Sequence, residues 1–230
     1  MRHQVNLPSS LQQVAADEIR RRIFARELAP GARIEQESLA EEIGMSKIPV
    51  REAISALVTE GLVEMFPRRG AFVVEMTKQD IEDHYWMLAH ISAHAAARAA
   101  ETIADETLDR LDENIAAMEA ATDEAERSRL STGFHATVNQ AAGSRRMNSV
   151  LRMLGSPVPL DFYETRTECH AEQDHRAILD ALRARDPERT RAAMENHFIV
   201  GAVAAIKALE DAGFWETTET PAGNRQSRRR

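Results

Sequence analysis

The segment between residues 36 and 61 constrains the fold of this chain more than any other, through the order of its apolar patterns and glycines. An apolar helical pattern in QESLAEEIG ends at Gly44, where glycine readily adopts the left-handed conformation that closes a helix. A second helical pattern follows about three residues later; it has Ser46 as the predicted N-cap, Pro49 in its first turn and Gly61 at its end. The short connection predicts two helices that cross tightly, so that the second projects outward.

The period of the sequence changes after Gly61. The stretch LVEMF, the turn PRRG and the stretch AFVV predict two short strands joined as a hairpin. Before the helix pair, residues 10–28 predict a helix that stops at Pro30-Gly31, with one apolar face made of Leu11, Val14, Ala15, Ile19, Ile23 and Phe24. Helix, helix, turn, helix and hairpin is the order of a winged helix-turn-helix.

From Thr77 onward the pattern predicts helices alone, at about 78–102, 105–121, 123–142, 145–154, 160–184 and 187–211. Residues 216–230 lack apolar anchors and are predicted to be disordered. The predicted fold class is therefore mainly α. We expect a winged helix-turn-helix with a β-hairpin wing over residues 1–76 and an all-helical bundle over residues 77–215.

Charge is spread unevenly along a chain whose formal net charge is −8. Residues 1–76 carry 10 Lys+Arg and 11 Asp+Glu, residues 77–215 carry 15 and 24, and residues 216–230 carry 4 and 2. The acidic middle repels phosphate, which excludes indiscriminate nucleic-acid binding. Any basic surface on the nearly neutral first segment must be local.

Composition also predicts the compartment. The single cysteine, Cys169, excludes an internal disulfide framework and fits a reducing cytosol. No apolar run approaches the roughly 20 residues that span a bilayer. We therefore expect a cytoplasmic protein without a membrane partner.

Cationic side chains stand at the start of the second helix of the pair. Its first turn and a half holds Ser46, Lys47, Ile48 and Arg51. Positive charge there opposes the helix dipole by roughly a few tenths of a kcal/mol, whereas a phosphate or guanine partner would reverse that balance. In helix-turn-helix proteins these positions meet base edges in the major groove. The alternative is that the cations are solvated and paired with Glu41, Glu42 or Glu52.

Two further arginines, Arg68 and Arg69, stand at the predicted hairpin tip. A wing of this kind reaches a minor groove or flanking phosphates. Together with the helix start they predict a DNA-binding surface.

The segment PGARIEQESLAEEIGMSKIPVREAISALVTEGLVEMFPRRGAFV closely resembles the N-terminal domain of GntR-family bacterial transcription regulators. The resemblance implies that Lys47 and Arg51 lie at recognition-helix positions and that Arg69-Gly70 forms the wing tip. Lys47 stands where the family usually has arginine, and Ile48 where threonine is common. Because lysine lacks the rigid guanidinium fork, the preferred base steps are expected to differ from those of relatives.

The remainder resembles, more weakly, the helical effector domain called FCD, found in the fatty-acid-regulator-like branch of this family. The similarity lies in the spacing of FH at 134–135, DHRAILDAL at 174–182 and AAMENH at 192–197. It implies a divalent-metal site, for zinc or nickel, at His135, His175 and His197.

Two residues depart from the FCD pattern. Ser131 stands where an aspartate ligand is expected, one turn before His135 on the same helical face. Leu88 stands where these domains often direct an arginine into the pocket. We assign both positions to an atypical effector pocket, in which an anionic metal ligand is missing.

Two of the histidines are also expected to meet on physical grounds. His175 and His197 each lie 11 residues from Asp186, where the chain reverses. At about 1.5 Å rise per residue they stand at the same height on an antiparallel helix pair, and facing imidazoles favour a transition metal. His135 must come from another helix. A metal-free polar pocket is the alternative.

Other patterned residues are interpreted as structural. His90 and His94 form an i, i+4 pair that we assign to the surface or to an interface. The apolar stripe that follows is core packing, and it consists of Leu108, Leu111, Ile115 and Met118.

Three functions remain open from the sequence. The leading hypothesis is a homodimeric, ligand-responsive transcriptional regulator, more often repressor than activator, that binds a palindromic operator and a small metabolite such as an organic acid. A metal-dependent hydrolase is the second, with Glu172 and Glu195 as the nearest carboxylates in sequence. A body that only dimerises and binds no ligand is the third.

Overall fold

A computed structural model describes residues 10–155, 158 and 171–216. Its side-chain description excludes Glu124 and residues 171–173. The first part of the helix predicted at 160–184 and nearly all of the predicted disordered tail lie outside the described residues.

Residues 10–76, called the head below, contain three helices and three strands. They are α1 Leu11–Phe24, β1 Arg33–Ile34, α2 Gln36–Glu42, α3 Lys47–Thr59, β2 Val63–Phe66 and β3 Gly70–Val73. Residues 77–216, called the body, contain α4 Lys78–Thr102, α5 Asp105–Ala120, α6 Glu124–Ala141, α7 Arg145–Leu154, α8 Ala171–Arg183 and α9 Pro187–Asp211. The predicted mainly α architecture with an N-terminal winged helix-turn-helix is confirmed.

The wing is a sheet of three strands rather than the predicted hairpin. Strands β2 and β3 pair antiparallel from Val63 with Val73 to Phe66 with Gly70. Strand β1 adds to the other edge of β3 and gives the order β1-β3-β2. The sequence missed β1 because two residues are too short to show an alternating pattern.

The head core forms where α1 packs on α3. Its largest fully buried side chains include Ile19, Phe24, Ile54 and Leu57. The prediction for the first turn of α1 was wrong, because Leu11 is 63% exposed and Val14 41% exposed. The buried stripe of α1 begins one turn later, at Ala15 and Ala16, and continues through Ile19, Ile23 and Phe24.

The helix ends follow the glycines, but one predicted cap is incomplete. Gly44 and Gly61 adopt positive φ values of 67° and 79° after α2 and α3, as the C-terminal signals predicted. Ser46 is the N-cap residue of α3 by position, yet its side chain makes no capping hydrogen bond. Orphan N–H groups at the start of α3 therefore keep their donor capacity.

The body is organised around two antiparallel helices of 25 residues each, α4 and α9. Helix α8 packs on α9 and α5, and α6 packs on α4 and α5. The predicted core stripe of α5 is buried as expected and consists of Leu108, Leu111, Ile115 and Met118. These contacts place α8 beside α9, and α6 beside α4 and α5.

Head and body share one apolar cluster. Helix α9 contributes to the cluster that contains the head core with Ala204, Ala205, Ile206, Ala208 and Leu209. Phe214, just after α9, stacks on Phe24 with ring centroids 5.7 Å apart. The Trp215 indole Nε1 donates to the Met76 carbonyl at 2.9 Å. The end of α9 is thus packed directly on the head.

Within the described part of the chain, α9 is the one helix whose length and composition would allow it to cross a membrane. Core helices of soluble proteins pass the same criterion, and 33% of the apolar stretch is buried inside the protein. The feature is therefore weak evidence for a membrane span.

Gly44, in the turn between α2 and α3, allows a test of whether the left-handed backbone conformation there requires glycine. A Cβ at Gly44 would meet no atom of the described residues within 4 Å, but the residue has φ +67°. Gly44→Ala should therefore destabilise the protein by about 1–2 kcal/mol through backbone strain alone, as measured by urea unfolding followed by circular dichroism.

Gly133→Ala on α6 is the matched control. Its Cβ would make an ordinary 3.7 Å contact with Asn114 Nδ2. Alanine is a better helix former than glycine, so this variant should stabilise by roughly 0.5–1 kcal/mol. Equal effects of the two substitutions would contradict the assigned role of Gly44.

Candidate nucleic-acid interface and metal centre

The start of α3 exposes one side of the helix and buries the other. Pro49, Val50, Ala53, Ile54 and Leu57 are buried in the head. The predicted DNA-binding side chains at this helix start are all exposed, and they are Ser46, Lys47, Ile48 and Arg51. Ile48, the apolar one, is 59% exposed. The buried face fixes the orientation of the exposed one.

Lys47 and Arg51 differ in their surroundings. The Lys47 ammonium forms an ion pair with Glu37 of α2, and this contact lowers the pKa of the Glu37 carboxyl through the hydrogen bond first and the charge second. The predicted alternative partners were Glu41, Glu42 or Glu52; Glu42 instead pairs with Arg22 at 2.5 Å. Among the described residues, no carboxylate lies in ion-pair distance of Arg51.

The two ion-pair patterns have different consequences. An exposed lysine–glutamate pair contributes about 0–1 kcal/mol, so a phosphate competes with Glu37 easily. The Arg51 guanidinium keeps its full donor fork on the surface. Arg51 thus offers its donors to a ligand more freely than Lys47 does.

The wing holds its two predicted arginines in different ways. Arg69 places its guanidinium carbon 5.5 Å from the ring centroids of both Phe66 and Phe72, and these rings pack edge to face. Arg68 lies at the tip with φ 64°, a conformation that non-glycine residues rarely adopt. The aromatic pair therefore positions Arg69, while Arg68 extends from the exposed tip.

Arg33 is a wing residue that sequence reasoning missed. It lies on β1, opposite Phe72, and is exposed. Gly70 has φ +100°, and a Cβ there would lie 3.2 Å from Arg33 Nε. Arg33 also pairs with Glu35 at 3.2 Å. Because β1 itself was not predicted, no sequence signal placed Arg33 beside the wing tip.

The three predicted metal-site histidines come together from α6, α8 and α9. The Nε2 atom of His135 lies 3.0 Å from Nε2 of His197 and 3.2 Å from Nε2 of His175. One candidate ligand atom from each of the three lies within 4.8 Å of the others. The antiparallel pairing of α8 and α9 thus brings His175 and His197 to the same height, and α6 supplies His135.

Burial affects the protonation of one histidine of this cluster, His135. His175 is 1% exposed. Burial lowers the pKa of His135 well below its ordinary value, and the neighbouring His197 and His175 lower it further. Phe134 packs against His175 with centroids 4.7 Å apart, and Phe198 packs against His135 at 5.0 Å. A neutral imidazole presents the lone pair that a metal requires.

The arrangement fits a divalent metal. Histidine nitrogens about 2.0–2.1 Å from one cation lie roughly 3.0–3.4 Å from each other in tetrahedral or octahedral geometry, which matches the two measured separations. His135 Nε2 faces two other nitrogens, so one proton cannot satisfy all three atoms, whereas one cation can. Among the residues that the structure describes, the buried Nδ1 atoms of His135 and His197 have no hydrogen-bond partner.

Asp174 is a second residue that sequence reasoning missed. Its Oδ2 lies 3.8 Å from Nδ1 of His197. A histidine that binds metal through Nε2 carries its proton on Nδ1, and at 3.8 Å the Asp174 carboxylate attracts that proton by charge rather than by a hydrogen bond. The signal was present in the sequence as the Asp174-His175 pair, but α9 had to be placed before the carboxylate could be assigned to His197.

Ser131 and Leu88, the two predicted effector-pocket residues, are both buried. Ser131 lies on α6 one turn before His135. Leu88 belongs to the apolar cluster of the body that also contains Phe134, Ile178 and Met194. The region around the histidines is therefore apolar, with Ser131 as a buried hydroxyl nearby on the same helix.

The remaining candidate residues lie elsewhere. His90 and His94 are exposed, in agreement with their assignment to the surface. Glu195, a carboxylate considered for hydrolysis, lies 3.6 Å from Nε2 of His90 rather than beside the cluster. The side chain of Glu172 is outside the described residues.

Comparison with known proteins identifies both parts of the chain. The family model described as bacterial regulatory proteins, gntR family, matches residues 11–73, and the FCD domain model matches residues 83–199. The transcriptional repressor RspR of Escherichia coli K12 is 24% identical over 201 residues, which cover 84% of this chain and 88% of RspR. The regulator YdhC of Bacillus subtilis 168 is 23% identical over 190 residues, which cover 79% and 85%.

Solved structures share the fold. E. coli McbR/YncC aligns with a TM-score of 0.67 and 22% identity over 89% of this chain and 99% of that one. Lar, described as controlling the agr system of Listeria monocytogenes, aligns with a TM-score of 0.60 and 19% identity over 88% and 99%. The resemblance inferred from the sequence is confirmed: the chain belongs to the GntR family of bacterial transcriptional regulators and carries an FCD domain.

Proposed function

We propose that this regulator is a homodimeric repressor that binds a palindromic operator through α3 and the wing, and that a small organic acid bound in the body controls its affinity. The observation that carries the proposal is the exposed, cationic start of α3 on a helix whose other face is fully buried in the head. The names of curated relatives, including a repressor, support the same class of function.

On the DNA side, Arg51 is proposed to contact a base edge, and Lys47 and Ser46 to contact phosphates or neighbouring bases. Ile48 is exposed and apolar, so a thymine methyl group is its natural partner. Arg68, Arg69 and Gly70 would place the wing against the backbone or the minor groove.

In the body, His135, His175 and His197 are proposed to hold a divalent cation, zinc or nickel. When bound, such a cation supplies a Lewis-acid centre with open positions that accept carboxylate oxygens. Ser131 in place of an aspartate leaves one fewer anionic ligand, which favours an anionic effector on charge grounds. The apolar wall that includes Leu88 suits the carbon skeleton of a small organic acid.

Helix α9 connects the two activities. It carries His197, one of the three histidines of the cluster, and its C-terminal half packs into the head core. An effector changes DNA affinity only by its different affinity for two arrangements of the heads. We propose that effector contacts near His197 bias the position of α9 and thereby the spacing of the two α3 helices.

The hydrolase alternative is not favoured. The one candidate base whose side chain is described, Glu195, faces His90 instead of the histidine cluster. The matched family consists of transcriptional regulators. A substitution in α3 that abolishes DNA recognition while the protein stays folded would support the regulator hypothesis over the hydrolase hypothesis.

Arg51→Ala should weaken binding to the preferred operator by roughly 10- to 100-fold, equivalent to about 1–3 kcal/mol, because a base-edge contact is lost. The operator is first obtained by selection from genomic fragments, and affinity is then measured by fluorescence anisotropy at fixed salt.

Arg129→Ala is the matched control, because Arg129 is an exposed arginine of α6 that pairs only weakly with Glu126. It should keep wild-type operator affinity. Unchanged affinity and sequence preference in a folded Arg51→Ala variant would refute the assignment of α3 as the reading helix.

Protein purified without chelator or nickel resin should carry about one zinc or nickel ion per chain, as a three-histidine site predicts. His175→Ala should lose most of that metal in elemental analysis, whereas His94→Ala, at an exposed position of α4, should retain it. A wild-type protein that stays metal-free even after incubation with either ion would remove the metal from the proposal.

Asp174→Asn should lower metal affinity by roughly 10- to 100-fold, since the carboxylate that orients the His197 ring is lost while the three ligands remain. Competition against a chromophoric chelator measures the affinity. Asp180→Asn, an exposed position of the same helix, should leave it unchanged. Equal affinities for the two variants would show that Asp174 does not position His197.

A further inference from the structure

The segment that joins the wing to α2 carries an exposed cation and two exposed carboxylates. It reads Arg33-Ile34-Glu35-Gln36-Glu37, and Arg33, Glu35 and Glu37 are exposed. Ile34 is 3% exposed and packs in the head core. This apolar anchor holds the short segment against the head, so its charged side chains remain at the surface.

Each carboxylate pairs with a cation in the wing or at the start of α3. Glu35 Oε1 lies 3.2 Å from Nη1 of Arg33, whose Nε atom would lie 3.2 Å from a Cβ at Gly70 of the wing. Glu37 pairs with Lys47 at the start of α3. One short segment thus neutralises a cation beside the wing tip and a cation of the reading helix.

The other cations of α3 and the wing tip lack such a partner. Among the described residues, no carboxylate lies in ion-pair distance of Arg51, Arg68 or Arg69. When a free cation contacts a phosphate, it releases condensed counterions and strengthens binding to DNA of any sequence. A cation that a carboxylate has already neutralised contributes less to this effect.

The two carboxylates are placed to compete with phosphate at neutral pH. The hydrogen bond from Lys47, and then its charge, lower the pKa of the Glu37 carboxyl, so this group stays ionised. The side chains of Glu35 and Glu37 are 61% and 76% exposed, and exposed ion pairs of this kind are weak enough for a phosphate to displace them. A displaced carboxylate stays tethered beside the phosphate and repels it, because screening at about 0.1 M salt acts only beyond about 10 Å.

We propose that Glu35 and Glu37 are built-in competitors for DNA phosphate. Each holds one cation in an ion pair until a phosphate displaces the carboxylate, and each thereby lowers the affinity for DNA of any sequence. Phosphate contacts carry no sequence information, so the base contact proposed for Arg51 is left to discriminate. The inference rests on the proposed function, because it assumes that α3 and the wing face DNA.

The experiment compares the full chain with charge-neutral variants on two fluorescent duplexes, the selected operator and a random sequence of the same length. Anisotropy is measured from about 50 mM to about 200 mM salt, a range over which phosphate contacts strongly change the affinity. Circular dichroism and thermal unfolding verify that each variant is folded.

Glu37→Gln and Glu35→Gln should each raise the affinity for the random duplex roughly 3- to 10-fold at about 0.1 M salt, because one more cation is then free for phosphate. Each should also steepen the slope of log affinity against log salt by about 0.9. Glu41→Gln is the matched control, since Glu41 is exposed on α2 and no cation of the described residues lies in ion-pair distance of it. It should leave the slope unchanged and the affinity within about twofold, because an unpaired surface charge is largely screened at this salt.

A second substitution shows whether Glu37 acts through its paired cation. In a Lys47→Gln background, Glu37→Gln should change affinity and slope no more than Glu41→Gln does, because no ammonium is left to free. A merely structural role of Glu37 in α2 would not depend on Lys47. The ratio of operator affinity to random affinity should stay within about threefold in the Glu37→Gln and Glu35→Gln variants, because phosphate contacts do not read sequence.

Equal effects of Glu37→Gln and Glu41→Gln would overturn the inference, and so would an effect of Glu37→Gln that persists in the Lys47→Gln background. If the slopes change as expected but no variant prefers any DNA sequence, the proposed function fails and the competition for phosphate stands. If neither the wild type nor a Glu35→Gln, Glu37→Gln double variant binds duplex DNA at about 50 mM salt, where phosphate contacts are strong, both fail.

Discussion

The packing of α9 against α4 and the head at the same time is the constraint on which the rest of the structure depends. One side of α9 lies antiparallel to α4, and its last turns enter the core of the head, where Phe214 stacks on Phe24. Protein interiors are close-packed, so a displacement of α9 is transmitted to the elements it touches rather than absorbed. His197 is part of the same rigid helix, which gives a physical link between the histidine cluster and the head.

The same division between a buried and an exposed face explains the two candidate sites. On α3, a continuous buried stripe holds the helix while Arg51 keeps its donors toward solvent. In the body, His175 is buried, and burial lowers the pKa of His135, which favours its neutral form. In both places the apolar contacts determine where the polar atoms point, and the polar atoms carry the proposed chemistry.

Much of this arrangement was predictable from short-range signals. Gly44 and Gly61 end helices because glycine tolerates positive φ, and the spacing of His175 and His197 about Asp186 follows from the rise of a helix. Sequence-based prediction failed where a structural element depends on residues that are distant along the chain. Strand β1 exists only because β3 lies beside it, and Leu11 and Val14 are exposed despite an apolar pattern because the buried stripe of α1 starts at Ala15.

The sequence by itself determined the family, the order of the helices and of the wing hairpin, and which three histidines are the candidate metal ligands. These properties depend on local periodicity, on chain-reversing residues and on spacing, all of which are readable along one dimension. Only the tertiary structure decided that His135 reaches the α8–α9 pair, that Asp174 faces His197, that Arg33 joins the wing and that the end of α9 packs on the head. Each of these is a contact between residues at least 23 positions apart, and such contacts form only when packing brings whole elements together.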